Sequence, residues 1–310
     1  MFPGAVTFLP FYVIIKETRD NKERTEINVN LFSSGSPLVA AHRGTSGGNI
    51  PCNSLSAYKA ALAQGADIIE LDVSKSRDGD LFCFHPMMEH SHLCSPLLIP
   101  SLSKNQISRL RYRNFDSAKT NEGVLSLDDA FEFLKGKCLL NIDKFWTAPA
   151  LISNCIKRHG LENQVIVKTP SNEKYFEALE CIAPDLPFMP MVRETDNVSR
   201  RLLKRKLNFV GIEAIFKTES AQVISEENIR FLHKNSLAVW GNAIVYNRRS
   251  VISAGHTDDI AVTGDPDYGW GWFKEKGFDI VQTDWVLPMK NYFNEKNSLK
   301  GFDNNERNSH

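Results

Sequence analysis

Five residues of types that support acid–base and anion chemistry lie close together in the sequence, between positions 42 and 85. They are His42, Arg43, Glu70, Asp72 and His85. Histidine gains and loses protons near neutral pH, carboxylates bind cations, and arginine binds anions such as phosphate. We therefore expect this stretch to carry the chemistry of the chain, provided that the fold brings the five side chains together.

A third acidic residue completes a set that could bind a metal ion. Asp143 ends a later apolar run, and with Glu70 and Asp72 it forms an all-oxygen set of three carboxylates. Hard ligands of this kind suit Mg²⁺ or Ca²⁺ better than zinc. His42 and His85 would flank the metal ion as general acid and general base.

Basic residues at the ends of apolar runs could bind the anionic group of a substrate. We assign this role to Arg43 together with Lys144 or Lys168. Further candidates for the pocket are Glu213, Trp240 and Asn242. As alternatives, Lys168 and Glu213 could pair with each other or with other charges at the rim, and Trp240 could pack inside the barrel. Asp284, which follows the last apolar run, is interpreted as a structural residue. A metal ion, an acid–base pair and a cationic clamp together suit the hydrolysis of a phosphate ester.

The pattern that positions these residues is an alternation of short apolar runs with helix-like segments. The predicted strands are 38–41, 67–73, 138–142, 164–167, 188–192, 209–212, 237–240 and 279–283. Repeated strand–helix units predict a parallel sheet, and eight of them over about 250 residues predict an α/β fold of the (β/α)₈ TIM-barrel type. The carboxyl ends of all strands then face one rim, where we expect the candidate residues to converge.

Strand two is predicted to continue into an extended β-hairpin. Residues 74–80 are too few for a parallel crossover, whereas Asp78-Gly79 is a strong signal for a two-residue turn. With that turn, Asp72 would lie opposite His85 on the returning strand, and cross-strand partners share a face. The hairpin is therefore expected to deliver His85 to the carboxylates.

The chain divides into three predicted parts. Residues 1–37 alternate as an N-terminal β-hairpin extension, residues 38–290 form the TIM-barrel catalytic domain, and residues 291–310 form a polar, frayed C-terminal tail. The N-terminal hairpin could cover the bottom of the barrel or pair with another chain, so a homo-oligomer stays open.

The charge balance and the cysteines narrow the class of protein. With 37 basic and 37 acidic residues the net formal charge is zero, which argues against a nucleic-acid partner and offers no polybasic patch for a membrane surface. The apolar N-terminus is too short and proline-broken for stable membrane insertion. The six cysteines form no CxxC pair, which argues against a zinc ribbon. A chain of this size needs no disulfides, which favours a reducing cytoplasm, with a secreted or periplasmic location as the alternative.

Several motifs of the chain resemble those of the glycerophosphodiester phosphodiesterase family. They are HRG at 42–44, P-x-N-S at 51–54, GADIIELDV at 65–73, DG at 78–79 and FHP at 84–86. Downstream, LLNIDKFW, LAVWGN and GFDIVQTD resemble three further barrel strands of that family. The resemblance covers roughly residues 38–290 (the predicted barrel), and the combined motif is specific where HRG alone is not.

The resemblance implies a metal-dependent TIM-barrel enzyme that cleaves small-molecule glycerophosphodiesters to glycerol 3-phosphate and an alcohol. By position it implies the acid–base pair, the phosphate-binding arginine and the three metal ligands assigned above. The chain departs from the family pattern at Cys52 and Asp143, where the family has glutamates, and at Pro86, where it has an aspartate. The lysine also differs in position: here it is Lys144, directly after Asp143, whereas the family has it one position later, at Phe145.

Two other functions stay open. One is a lysophospholipase D-like activity on lipids with a single acyl chain, which would need an apolar groove beside the phosphate site. Candidate groove residues are Met87, Met88, Phe145, Trp146 and Trp240. The other is a non-catalytic barrel that binds a phosphorylated ligand, a reading suggested by the missing glutamate at Cys52.

Overall fold

The structure, a computed structural model, describes residues 35–246 and 250–307. The N-terminal hairpin predicted for residues 1–37 lies outside the described residues, apart from the last positions before the first strand. The fold below therefore concerns the predicted catalytic domain and the segment that follows it.

Eight parallel strands of the described chain close into a barrel, which confirms the predicted TIM-barrel fold. The described strands, one of which lies outside the barrel, are β1 (Leu38–Ala41), β2 (Ile68–Lys75), β3 (Leu81–Cys83), β4 (Leu139–Asp143), β5 (Val165–Pro170), β6 (Phe188–Arg193), β7 (Gly211–Ile215), β8 (Ala238–Asn242) and β9 (Ile280–Thr283). The ring runs from β1 through β2 and β4 to β9, and β9 pairs with β1 to close it. β3 pairs antiparallel with β2, outside the ring.

Helices connect most of the strands and cover the outside of the barrel. They are α1 (Leu55–Ala63), α2 (Glu89–Leu93), α3 (Lys104–Ile107), α4 (Leu127–Leu134), α5 (Pro149–His159), α6 (Glu173–Ile182), α7 (Ser199–Leu202), α8 (Glu226–Lys234), α9 (Asp258–Thr263), α10 (Trp272–Lys276) and α11 (Val286–Arg307). Short 3₁₀ helices lie at Ile99–Ser101, Phe145–Thr147 and Gln222–Ile224, and a π-helical turn lies at Asp267–Gly271.

Side chains alternate along each strand between the barrel interior and the surrounding helices. On β2, Ile68 belongs to the apolar cluster inside the barrel, whereas Ile69 and Leu71 pack in the outer core. Because the period of a strand is two, Glu70 and Asp72 share the interior face with Ile68. The apolar interior thus fills the amino-terminal part of the barrel and leaves the polar residues at the carboxyl ends.

The predicted hairpin after β2 forms, but its register differs from the prediction by one residue. A three-residue loop that ends on Gly79 (φ +95°) replaces the expected two-residue turn, and a glycine in the left-handed region suits such a loop. Asp72 consequently lies opposite Phe84, whose N–H donates to the carbonyl of Asp72 over 3.1 Å. The predicted pairing of Asp72 with His85 is wrong, and His85 stands beyond the end of β3.

The C-terminal segment is helical where a frayed tail was expected. α11 continues through residue 290, so the predicted boundary between barrel and tail falls inside one helix. Lys290 anchors this helix to the barrel, because its ammonium lies 2.9 Å from the carboxylate of Asp67. Among the described helices, none combines the length and the apolar composition needed to cross a membrane.

Candidate active site at the carboxyl ends of the strands

The carboxyl ends of the barrel strands surround a cavity that brings most of the predicted site residues together. Its wall includes His42, Arg43, Glu70, His85, Asp143, Lys144, Lys168, Glu213 and Asn242. Asp72 lies fully buried beside this wall, in ion pairs with Arg43 and Lys144. Trp240, predicted as a pocket residue, lies instead in the barrel interior with no exposed surface, so it supports the cavity without lining it.

Three carboxylates meet on neighbouring strands at one side of the cavity. Glu70 and Asp72 lie on the same face of β2, and Asp143 lies beside Asp72 in the parallel pairing of β2 with β4. One oxygen from each of the three residues lies within 4.8 Å of the others. Oδ1 of Asp72 is buried and makes no hydrogen bond; its ion-pair contact is with Nζ of Lys144 at 3.5 Å.

Burial and neighbouring charges give these acids different protonation behaviour. Burial raises the pKa of Glu70, and the charge of Asp72 raises it further. Burial also raises the pKa of Asp72, but the charges of Arg43 and Lys144 outweigh this effect and hold the pKa below its usual value. Of these two, Asp72 keeps its negative charge more readily. A cation bound beside Glu70 would favour the charged form of Glu70 and lower its pKa.

Two basic side chains reach the carboxylates from strand ends with strained backbone geometry. Arg43 (φ +59°) and Lys144 (φ +61°) both adopt the left-handed region, which costs about 1 kcal/mol or more for a residue other than glycine. Nε of Arg43 lies 2.8 Å from Asp72, and Nζ of Lys144 lies 2.5 Å from Asp143 and 3.5 Å from Asp72. Each strained turn thus directs a positively charged side chain toward the carboxylate cluster.

Lys168 and Glu213 pair with each other at the buried end of the cavity. Nζ of Lys168 lies 3.0 Å from the carboxylate of Glu213 and 3.9 Å from the centre of the Trp240 ring. The side-chain amide of Asn242 donates to Glu213 over 2.7 Å. Lys168, predicted to bind phosphate, is therefore already neutralised by a carboxylate of its own barrel.

The two histidines have different partners, and their pKa values shift in opposite directions. Nδ1 of His42 lies 2.9 Å from Oδ1 of Asp284. Burial lowers the pKa of His42, but the hydrogen bond and charge of Asp284 outweigh burial, so the pKa is raised. Nδ1 of His85 lies 2.8 Å from the carbonyl oxygen of Pro86, and burial together with nearby cations lowers its pKa. Near neutral pH, His42 is suited to donate a proton and His85 to accept one.

Three residues that were not predicted as site residues orient the catalytic side chains. Asp284, interpreted from the sequence as structural, contacts His42 because barrel closure places the end of β9 beside the end of β1. Asn53 donates to the carboxylate of Asp72 over 2.9 Å and accepts its N–H over 3.2 Å. Buried Asp258 accepts the backbone N–H of Asp284 over 2.8 Å. Two of them carried a sequence signal: Asn53 belongs to the P-x-N-S motif, and Asp284 directly follows the last strand.

At two positions that depart from the family pattern, the structure shows what replaces the usual residues. Cys52 packs beside His92, with 3.8 Å between Sγ and Nδ1, and burial raises the pKa of its thiol to about 11, so Cys52 is uncharged at neutral pH. Phe145 is buried in the outer core. The left-handed turn at Lys144 instead brings a cation to the site one position earlier.

An apolar surface lines part of the cavity, but not where the sequence predicted it. Phe145 and Trp240 are buried in the two cores, so the predicted groove does not form from them. The apolar lining comes instead from Met191, Ile215, Ile244 and Ile252. It lies on β6, β7 and the segment after β8, and it leaves room beside the charged cluster for an uncharged part of a ligand.

Comparison with known proteins confirms the resemblance that the motifs predicted. The chain is 38% identical over 101 residues to probable glycerophosphodiester phosphodiesterase 1 of Mycobacterium tuberculosis, covering 31% of this chain and 36% of that protein. It is 30% identical over 140 residues to a glycerophosphodiester phosphodiesterase of Caldanaerobacter subterraneus, covering 43% and 57%. The alignments thus span between about a third and somewhat over half of these relatives' length. A family model described as a domain of unknown function matches residues 188–293.

Solved structures share the fold over most of the chain. A glycerophosphoryl diester phosphodiesterase of Parabacteroides distasonis superposes with a TM-score of 0.70 at 16% identity, covering 86% of this chain and 92% of that one. A phosphodiesterase of Oleispira antarctica in complex with the product sn-glycerol-3-phosphate has a TM-score of 0.64 at 18% identity, covering 85% and 99%. These likenesses establish the shared TIM-barrel fold.

Proposed function

We propose that the chain hydrolyses glycerophosphodiesters to glycerol 3-phosphate and an alcohol. The observation that carries this proposal is that two histidines, three carboxylates and two basic side chains meet at one cavity. The names of the matched relatives support the proposal. So does the Oleispira antarctica phosphodiesterase, whose complex contains sn-glycerol-3-phosphate as its product.

The two histidines would move the protons of this hydrolysis. His85 takes a proton from water while the water oxygen bonds to phosphorus, and His42 gives a proton to the alcohol oxygen while its bond to phosphorus breaks. The N–H groups of Arg43 and Lys144 that do not face Asp72 and Asp143 would donate to the phosphoryl oxygens. One water is consumed, glycerol 3-phosphate and the alcohol are released, and exchange with solvent returns both histidines to their starting states.

The carboxylate cluster fits a divalent cation with oxygen ligands, and we propose Mg²⁺ or Ca²⁺ as its occupant. Glu70, Asp72 and Asp143 would hold the cation, because their oxygens lie within 4.8 Å of one another and the raised pKa of Glu70 marks negative charge that its neighbours do not fully offset. When bound, the cation would supply positive charge toward the phosphate. Lys144 contacts two of these carboxylates, so its ammonium would compete with the cation for them.

An assay across substrates and metals tests this proposal. Glycerophosphocholine and glycerophosphoethanolamine, each supplied with Mg²⁺, Mn²⁺ or Ca²⁺, are expected to release glycerol 3-phosphate, and excess chelator is expected to stop the release. Asp143→Asn should weaken metal binding in calorimetry, while the exposed Asp185→Asn should leave it unchanged. Turnover that persists in excess chelator would contradict the metal dependence. Ligand binding without turnover at any metal concentration would favour the non-catalytic barrel.

The apolar lining favours one second candidate, a lysophospholipase D-like hydrolysis of lipids with one acyl chain. Met191, Ile215, Ile244 and Ile252 could contact the hydrocarbon of such a lipid. Lysophosphatidylcholine belongs in the same assay for this reason. A higher kcat/KM for it than for glycerophosphocholine would select the second candidate, and a lower value would reject it.

The His42–Asp284 contact predicts a change in the pH dependence of the reaction. His42 acts as the acid only while protonated, so activity falls as the pH rises through its pKa, which Asp284 raises. Asp284→Asn removes that charge, and the basic limb of the kcat/KM profile is expected to move to lower pH, with a rate loss of about tenfold or more. The exposed Asp185→Asn serves as the control. An unmoved basic limb in Asp284→Asn would exclude His42 as the acid.

A further inference from the structure

The cations of the cavity differ in whether a carboxylate neutralises them. Among the residues that the structure describes, four lysine and arginine side chains line the cavity. Arg43 pairs with Asp72, Lys144 with Asp143, and Lys168 with Glu213. The fourth, Arg193, has no carboxylate within ion-pair distance in the described part of the chain. An unpaired guanidinium in a binding cavity is a ready site for an anion.

Arg193 stands where a substrate would extend out of the barrel. It is the last residue of β6, two positions after Met191 and therefore on the same face. Its neighbour across the parallel pairing with β7 is Ile215. Both neighbours line the cavity, and Arg193 itself is exposed. The guanidinium thus lies at the mouth, beside the apolar lining and separate from the buried carboxylate cluster.

The surroundings of Arg193 suit an anion better than a cation. The apolar lining offers no competing carboxylate, and the hydroxyl-bearing residues Tyr246 and Ser250 also line this cavity. Glu213 is already engaged by Lys168 and Asn242. A quaternary ammonium placed here would meet the positive charge of Arg193, whereas a carboxylate or phosphate would form charge-assisted hydrogen bonds with it.

We propose that Arg193 forms a subsite for a second anionic group, a carboxylate or a phosphate, on the alcohol half of the diester. The inference rests on the proposed glycerophosphodiesterase function and names its substrate class. Arg43 and Lys144 hold the phosphodiester near the histidines, and the glycerol half carries no further charge. A second anion can therefore come only from the esterified alcohol, and this half of the diester is the one that we place at Arg193, which lines the cavity.

Two matched pairs of substrates test the subsite. Glycerophosphoserine differs from glycerophosphoethanolamine by one carboxylate, and a glycerophosphoinositol phosphate differs from glycerophosphoinositol by one phosphate. In the unmodified protein, kcat/KM is expected to be higher for the anionic member of a pair. Arg193→Gln should reduce that preference by about ten- to a hundredfold, the range for a hydrogen bond to a charged group, chiefly through KM. Arg193→Lys should restore part of it. The two pairs also show whether the carboxylate or the phosphate is preferred.

The controls separate this inference from the function on which it rests. Arg109→Gln removes an exposed charge that is not part of the cavity lining, and both preferences should survive in it. Cleavage of the neutral or zwitterionic diesters without any preference for the anionic members, or a preference unchanged in Arg193→Gln, would overturn the subsite and leave the proposed function standing. Cleavage of none of the diesters would overturn both.

Discussion

Glutamine at position 42 is expected to lower kcat for glycerophosphodiester hydrolysis by about 10²- to 10⁴-fold, the usual contribution of a positioned general acid. His42→Gln removes the group that protonates the departing alcohol. Its amide can still hydrogen-bond to Asp284, which His42 contacts over 2.9 Å, so the local packing should persist. Steady-state kinetics gives the loss, and circular dichroism and thermal unfolding should show a folded protein.

Two comparisons make this expectation specific to the chemistry of His42. His90→Gln changes an exposed histidine that does not line the cavity, and its kcat should match that of the unmodified protein. Added imidazole should restore part of the rate of His42→Gln, because it returns a proton donor to the site. A His42→Gln enzyme with a rate within twofold of normal would remove His42 from the mechanism.

The second large effect concerns stability. Glu213→Leu is expected to lower the free energy of unfolding by about 3–5 kcal/mol, because it leaves the charge of Lys168 buried without its partner. The side chains of Lys168 and Glu213 are only 3% and 9% exposed, so little water can compensate. The same change deprives Asn242 of the carboxylate that accepts its amide hydrogen. Urea unfolding at neutral pH measures the difference.

Two further variants separate the cost of an unpaired charge from the loss of the pair itself. Lys168→Met combined with Glu213→Leu removes both charges and is expected to be closer in stability to the unmodified protein than Glu213→Leu alone. Glu226→Gln breaks the exposed pair with Arg230 on α8 and should cost less than about 1 kcal/mol. A double variant as unstable as Glu213→Leu would show that the unpaired charge is not the cause.

The sequence was most informative where the structure depends on local periodicity. Short apolar runs that alternate with helical segments predicted the eight barrel strands. Such a pattern can be recognised from neighbouring residues alone, without knowing which strands pair. The same period placed Glu70 and Asp72 on one face of β2. The carboxyl ends of parallel strands then predicted that His42, Asp143 and Lys144 would lie at the same rim, and all three line the cavity.

Tertiary structure decided what two local patterns could not. The Asp78-Gly79 signal allows both a two-residue and a three-residue loop, and the structure has the longer one, which shifts His85 by one residue relative to Asp72. Lys168 carries the same charge whether it binds phosphate or a carboxylate, and only its distance of 3.0 Å from Glu213 shows the partner.

The sequence by itself thus determined the barrel, the rim and the residue types that face it. The tertiary structure decided which of those residues contact one another, through barrel closure and through the conformations of the loops at the rim. Asp284 meets His42 because β9 closes against β1, although 242 positions separate them. Among the described residues, Arg193 makes no ion pair with a carboxylate, and Glu213 in the same cavity is paired with Lys168. Such contacts depend on the distances between strands, and these distances cannot be derived from the sequence of a single strand.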